Sequence, residues 1–427
     1  MKHRFSSLAL IGLAVLCLPM TGCDETLDGN MDFVSASVVV THSDNDNISS
    51  ISNECYTFKN ISDGTVTTLS SAQSVPLLPG IYDVAYTADA VLKSGAKAKL
   101  RALKQSVYIT SSSQISLQDY CIVDTDDLIL SEIFYTGTLQ PSGVQYNGDS
   151  YFKLYNNTDH VVYADGLTLF ETKFLTTEKR NYTPDVMDEA VTVQALYTIP
   201  GSGNEHPVMP GEELLICDVG IDHRTINPNS FSLEHADFEW YDKSTKPSTT
   251  DIDSPLVPNL DKWYCYTLSI WVPHNRGFKA FGLARIPVSR DEYLLDYRYA
   301  FDYDLVTAAG TFPMSDESYK LPNEWVVDIV NCSIESDYSW QLCIPALDSG
   351  WTYCGTVNND KTRYFHSVRR KVLRIEDDGR IILKDTNNSS EDFNPYVVPS
   401  EIELQHTSVD AAGNKSTVIT YDGVLEK

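Results

Sequence analysis

Asp149-Ser150-Tyr151-Phe152-Lys153-Leu154-Tyr155-Asn156 is the stretch on which the reading of the fold turns. Its aromatic and aliphatic residues suit a pleated, half-buried surface. Side chains alternate between the two faces of a strand, so Phe152 and Leu154 share one face and are expected to point into a core. Asn156, and Gly166 further on, stand where turns demand special backbone angles. Working outward, Leu130-Ser131-Glu132-Ile133 reads as a strand before it, and Val161 to Leu169 as a strand-turn-strand after it. Pro210-Gly211-Glu212-Glu213-Leu214-Leu215-Ile216 then gives a Pro-Gly turn followed by another strand.

The same signals run upstream. Phe33 to Thr41 is rich in Val and Ser. Val75 to Tyr86 joins a Pro-Gly turn to a run in which Tyr82, Val84 and Tyr86 share a core face, and Ile81, Asp83 and Ala85 share a mixed, solvent-facing one. Arg101 to Leu117 supplies two more short strands, and Asp124 to Asp127 forms an acidic boundary. Residues 33–123 therefore read as one small antiparallel sandwich. Helical signals are few: Leu321 to Val330, with Pro322 at the first helical position, and Thr183-Pro184-Asp185-Val186-Met187, with Thr183 as the cap. Thr417 to Tyr421 has β-propensity, so residues 396–427 read as a tail or an edge strand.

The N-terminus describes a different kind of segment. Lys2 and Arg4 precede an apolar run from Leu8 to Leu18, too short to span a ~30 Å hydrocarbon layer and suited to a signal peptide. Met20-Thr21-Gly22-Cys23 closes it, with small residues before a cysteine whose thiol could carry a lipid. Residues 1–22 are thus expected to be a lipoprotein signal peptide, Cys23 the lipidated residue, and residues 23–32 an acidic tether. With 59 Asp and Glu against 32 Lys and Arg, the chain has a net charge of −27. Phosphate backbones are bound by basic patches, so nucleic acid is not an expected partner. Seven cysteines follow Cys23 with no CxxC among them, which gives no support to thiol redox chemistry or a tetrathiolate zinc site. Cys55 and Cys121, both within the first sandwich, make the most plausible disulfide.

Residues 130–169 and 210–216 resemble the opening of a lamin-tail domain, an immunoglobulin-like β-sandwich, and Ser367 to Arg370 with Asp385 to Phe393 resembles its close. Lys153 stands where that family usually has Glu, and Leu167 where Trp is common. The resemblance implies a sandwich over residues 126–395 interrupted by an insertion at about 218–360. Residues 75–86 resemble the loop-and-strand segment of immunoglobulin-like and transthyretin-like modules. The segment 24–30 resembles the acidic export signals of Bacteroidota-type surface lipoproteins. Taken whole, the chain resembles an uncharacterised Bacteroidota lipoprotein family, the domain of unknown function 4876. That resemblance implies a place on the outer membrane beside nutrient import and supplies no catalytic residues.

The insertion is rich in aromatics, with fifteen between Phe231 and Tyr303. Trp240, Trp263 and Trp271 are candidates for stacking on a ligand, with a large β-rich core as the alternative use. His223, His235 and His274, with Asp218, Asp222 and Asp237 nearby, are candidate ligand-binding residues. Their spacing matches no metal motif, so no metal and no cofactor is expected. Asp385 to Ser389 mimics the start of a calcium loop, but Ser390 replaces the required Gly and Tyr396 the required Glu. Neither HExxH nor GxSxG occurs. The expected function is non-catalytic: a surface binding module for an unknown small ligand or glycan, accessory to an outer-membrane transporter. A structural or adhesive protein, or an exported hydrolase, is the alternative.

Overall fold

The computed structural model describes residues 33–42, 48–93, 97–123, 126–244, 251–267 and 269–415. Cys23 and the signal and tether segments lie outside these residues, as does the expected strand at 417–421. The described chain is mainly β, with strands packed in facing sheets, and no described helix is long and apolar enough to cross a membrane.

In residues 33–123 a five-stranded sheet runs in the order Val66–Leu69, Ile48–Asn60, Gly80–Leu92, Lys97–Ile109, Tyr120–Val123. It faces a three-stranded sheet, Val75–Leu77, Val34–Thr41, Ser113–Gln118, whose last two strands pair parallel. Tyr82, Val84 and Tyr86 enter the shared core while Ile81, Asp83 and Ala85 are only half-buried, as strand alternation requires. The sheet order corrects the disulfide expected between Cys55 and Cys121. Cys55 lies opposite Thr87, Thr87 opposite Arg101, and Arg101 opposite Tyr120. The two cysteines are thus three strand spacings apart, about 14 Å, whereas a disulfide needs Cα atoms within ~7 Å. Neither forms a disulfide.

Beyond residue 126 two larger sheets face each other. The six-stranded sheet runs Phe238–Glu239, Glu213–Cys217, Tyr151–Asn156, Leu128–Phe134, Ser367–Arg370, Phe393–Val397. The seven-stranded sheet runs Arg298–Thr307, Gly310–Pro322, Ala190–Thr198, Leu167–Thr172, Ala280–Arg285, Val326–Asn331, with Asp261–Cys265 paired to Ala190–Thr198 off that path. Phe152 and Leu154 point between the sheets into a core shared with Leu130, Ile133, Leu167, Ile216 and Val368. Residues 218–360 are not held out from this scaffold, for they supply five strands of the second sheet.

The helix expected over Leu321–Val330 is not formed. The chain ends a strand at Pro322, makes a single turn at Asn323–Trp325, and continues as the strand Val326–Asn331. Val326, Val327, Ile329 and Val330 are β-branched, and pairing with Ala280–Arg285 overrides the helical spacing. Nor is there a helix at Thr183–Met187, where Thr183 bridges to Asp302. Past residue 395 the chain stays in the sandwich: Phe393–Val397 is an edge strand, and the short helix Ser400–Gln405 packs Ile402 beside Tyr151 and Phe134.

Candidate functional site

Two of the three candidate tryptophans, Trp240 and Trp271, are core. Trp240 and Trp271 are fully buried, with ring centroids 5.0 Å apart. Trp271 stacks on Tyr197 at 5.0 Å and on Phe152 at 6.1 Å, and its indole N–H donates to Glu171 at 2.5 Å. With both rings covered by other aromatics, neither offers a face for a ligand. Trp263 packs, half-buried, against the cluster behind the seven-stranded sheet, 6.0 Å from Tyr293.

The histidines scatter. His223 is buried, bonded to Val219 O through Nε2 and to the Tyr146 hydroxyl through Nδ1, and burial pushes it down to about 4. His274 caps its own loop by accepting from Phe278 N–H, and burial with Lys279 and Arg276 nearby pushes it down to about 3. Both are held neutral inside the fold. His235 is different: it is exposed on one side, and its Nε2 lies 3.1 Å from Glu401, whose hydrogen bond raises its pKa.

Glu401, through Lys153, leads to a cleft of about 890 Å³ on the outer face of the six-stranded sheet. Its floor comes from the alternation that builds the core. Phe152 and Leu154 turn inward, so Lys153 and Tyr155 turn outward. Lys153 is 5% exposed, and its ammonium lies 3.0 Å from Glu401 and 3.4 Å from Glu213. Burial alone would lower the Lys153 pKa, but Glu213, Glu132 and Glu401 outweigh it and raise it. Burial would raise Glu401, yet His235 and Lys153 bring it down to about 2. Ser131 donates to Glu213 at 3.1 Å. Glu132, buried, accepts from Tyr151 at 3.0 Å, Ser367 at 2.6 Å and the Ser400 N–H at 3.0 Å. The floor is therefore a charged network whose members satisfy one another.

One wall is the hairpin Val372–Ile375 and Ile381–Leu383, with the turn at Asp378-Gly379-Arg380. Tyr155 anchors it by donating to Ile381 O at 2.6 Å. The stem of Arg380 lies over Gly211, where a Cβ would approach Arg380 Cγ to 3.1 Å, and Gly211 also has φ +84°. Glycine there permits both the turn and the close approach. Arg369, at the opposite side, pairs with Glu403 at 2.7 Å. Arg370, buried, pairs with Asp328 at 2.7 Å and with Asp385 at 3.1 Å, which accounts structurally for the Asp385 run.

A second cluster, Asp165, Glu205 and His206, has ligand atoms within 4.8 Å of one another. Asp165 already accepts backbone N–H bonds from Gly203, Glu205 and His206, so it organises that loop.

Of the six ligand-binding candidates, only His235 joins the cleft's network, and it does so through Glu401. Sequence reasoning gave Glu132, Glu213, Arg369, Arg380 and Glu401 no role in a site. The one usable signal was Lys153, a cation where the resembled family carries Glu.

Fold and cleft together define a β-sandwich protein with a large polar cleft on a sheet's outer face. Residues 209–400 match the model of a family described as "Protein of unknown function (DUF4876)", a span that includes Gly211, Glu213 and Arg380. The crystal structure of a DUF4876 family protein from Bacteroides thetaiotaomicron VPI-5482, determined at 2.50 Å, is similar in fold with a TM-score of 0.54. It is 19% identical, and the likeness covers 92% of this chain and 97% of that one. No curated protein matches the chain.

Proposed function

We propose that this chain is a lipid-anchored protein of the outer cell surface that binds a polar ligand without chemistry, as an accessory to an outer-membrane nutrient transporter. The cleft carries the reading. At about 890 Å³ it is of the size that encloses small ligands, and its polar floor is pre-organised by internal ion pairs. Glu401, buried behind the cleft lining, fixes the Lys153 ammonium at 3.0 Å and is itself held ionised, its pKa lowered to about 2. The anchor rests on Cys23 and the segment before it.

A structural or adhesive role has one observation in its favour. The hairpin of Arg298–Thr307 and Gly310–Pro322 carries Val306 at 75% and Phe312 at 46% exposure. Cells expressing Cys23→Ala should release the protein from the membrane, and protease added to intact cells should digest the wild type. Full protection of the wild type in intact cells would overturn surface display. Ligand binding that survives Glu213→Ala and Lys153→Met, but is lost with Val306→Ser and Phe312→Ser, would move the function from the cleft to the hairpin.

A further inference from the structure

The cleft's cations are not equivalent. Lys153, Arg369 and Arg370 each hold a carboxylate partner. Among the described residues Arg380 has none. One of its terminal nitrogens donates to Thr158 O at 2.8 Å, which leaves most of a five-donor fork without a protein acceptor. Its stem is fixed over Gly211 and its own N–H is bonded to Asp378 at 2.9 Å, so the group is held at the rim.

Arg380 also stands where two clefts meet. A second cleft of about 370 Å³ shares Asp159, Arg380 and Leu383 with the first, so the concave surface continues around the hairpin Val372–Leu383. A continuous surface of that form suits an extended ligand of several units. A peptide would gain little from it: Tyr151–Asn156 and Leu128–Phe134, which form the floor, are each paired on both sides and offer no backbone edge. Hydroxyl groups suit the floor better, since the Glu213 carboxylate accepts and Ser131 Oγ, whose proton goes to Glu213, keeps lone pairs to accept with.

We infer that the cleft binds an acidic oligosaccharide, with the carboxylate of one uronate unit held by the Arg380 guanidinium and neighbouring hydroxyls by Glu213 and Ser131. The inference rests on the cleft being the binding site. A planar guanidinium matches a carboxylate through two parallel N–H···O bonds. Asp159 and Asp378, also lining the cleft, disfavour a carboxylate elsewhere along it. The chain's net charge of −27 does not forbid this, because charges beyond roughly 8–10 Å are screened at physiological ionic strength.

The test is titration calorimetry of the full mature chain with trimers of galacturonate, glucuronate and mannuronate and with their methyl esters. Hydrogen exchange at the Asp378–Arg380 turn is followed in the same samples. At least one acid trimer should bind and protect the turn. Its ester should bind roughly ten- to a hundredfold more weakly, and Arg380→Ala should lose the same factor for the acid while leaving the ester unchanged. Arg380→Lys, which keeps the charge but not the fork, should fall between. Equal binding of acid and ester, with the turn protected by both, would overturn the acidic class and leave the cleft as the site. No protection by any trimer would overturn both.

Discussion

The inner and outer faces of the strand Tyr151–Asn156 are made from alternate residues of one short segment, yet they do opposite things. Inward, Phe152 meets Trp240, Trp271 and Phe281 in an aromatic core. Outward, Lys153 meets Glu213 and Glu401 at the bottom of a cleft. Aromatic content marks residues 231–303 as the candidate binding region in the sequence. The molecule places this cleft on the outer face of a sandwich strand and uses Trp240 and Trp271 to pack behind it. A pleated strand does not choose between core and site, because its period of two serves both.

The largest expected effect breaks the inner face. Trp271→Ala removes a buried indole and leaves the Glu171 carboxylate, itself fully buried, without one of its donors. The cost should be about 3–5 kcal/mol in urea unfolding, a large share of the ~5–15 kcal/mol by which a folded domain is stable. A stability equal to wild type would show that this ring is not part of the core.

Next comes the outer face. Glu401→Ala leaves buried Lys153 without the nearer of its two ion-pair partners and should cost about 3–5 kcal/mol by the same measurement. The double variant Lys153→Met with Glu401→Gln removes both charges and should lie closer to wild type than Glu401→Ala does. If the double variant is the worse of the two, the ion pair is favourable beyond satisfying its own members.

A pH series separates two carboxyls of opposite sign. Glu401 is lowered in the folded state from its ordinary 4.5 to about 2, so the folded form binds its proton less readily than the unfolded chain. Its contribution is present above pH 4.5 and lost as pH falls toward 2, so the gap between wild type and Glu401→Gln should shrink over that range. Burial raises Asp149 from 3.8 to about 6, despite hydrogen bonds from Ser230 and Thr138. The folded form then binds the proton more readily, and stability is lost as pH rises from about 4 to 6, by about 2–3 kcal/mol. Asp149→Asn should flatten that part of the curve. Curves that move in the same direction for both variants would refute the assignment.

Arg380→Ala should change the unfolding free energy least, within about 0.5 kcal/mol, because its guanidinium makes a single contact at the rim. A large loss would make Arg380 a structural brace of the hairpin Val372–Leu383.

Several parts of the fold could be read before the structure. Tyr82, Val84, Tyr86, Phe152 and Leu154 all enter cores on the faces their alternation assigns. The turn at Pro210-Gly211 falls where its residues imply, with Gly211 at φ +84°. These are local matters, settled by the two-residue period and by glycine's freedom at positive φ. The Leu321–Val330 segment went the other way, since its helical spacing is a weak preference and the partner strand Ala280–Arg285 lies some forty residues away.

The site was less open to such reading. Its members come from Ser131 to Leu404, and no spacing in the chain joins Lys153 to Glu213, Arg380 and Glu401. The sequence by itself determined the β class, the alternation that turns Lys153 away from Phe152, and the acidity of the whole. Only the tertiary structure decided which carboxylates gather around that ammonium, that Trp240 and Trp271 are sealed against other rings, and that Arg380 is left without a carboxylate partner among the described residues. The physical reason is range. Strand pleat and turn angles are set by neighbours a few residues apart, whereas burial and ion pairing depend on which distant strands the folded sheets bring side by side.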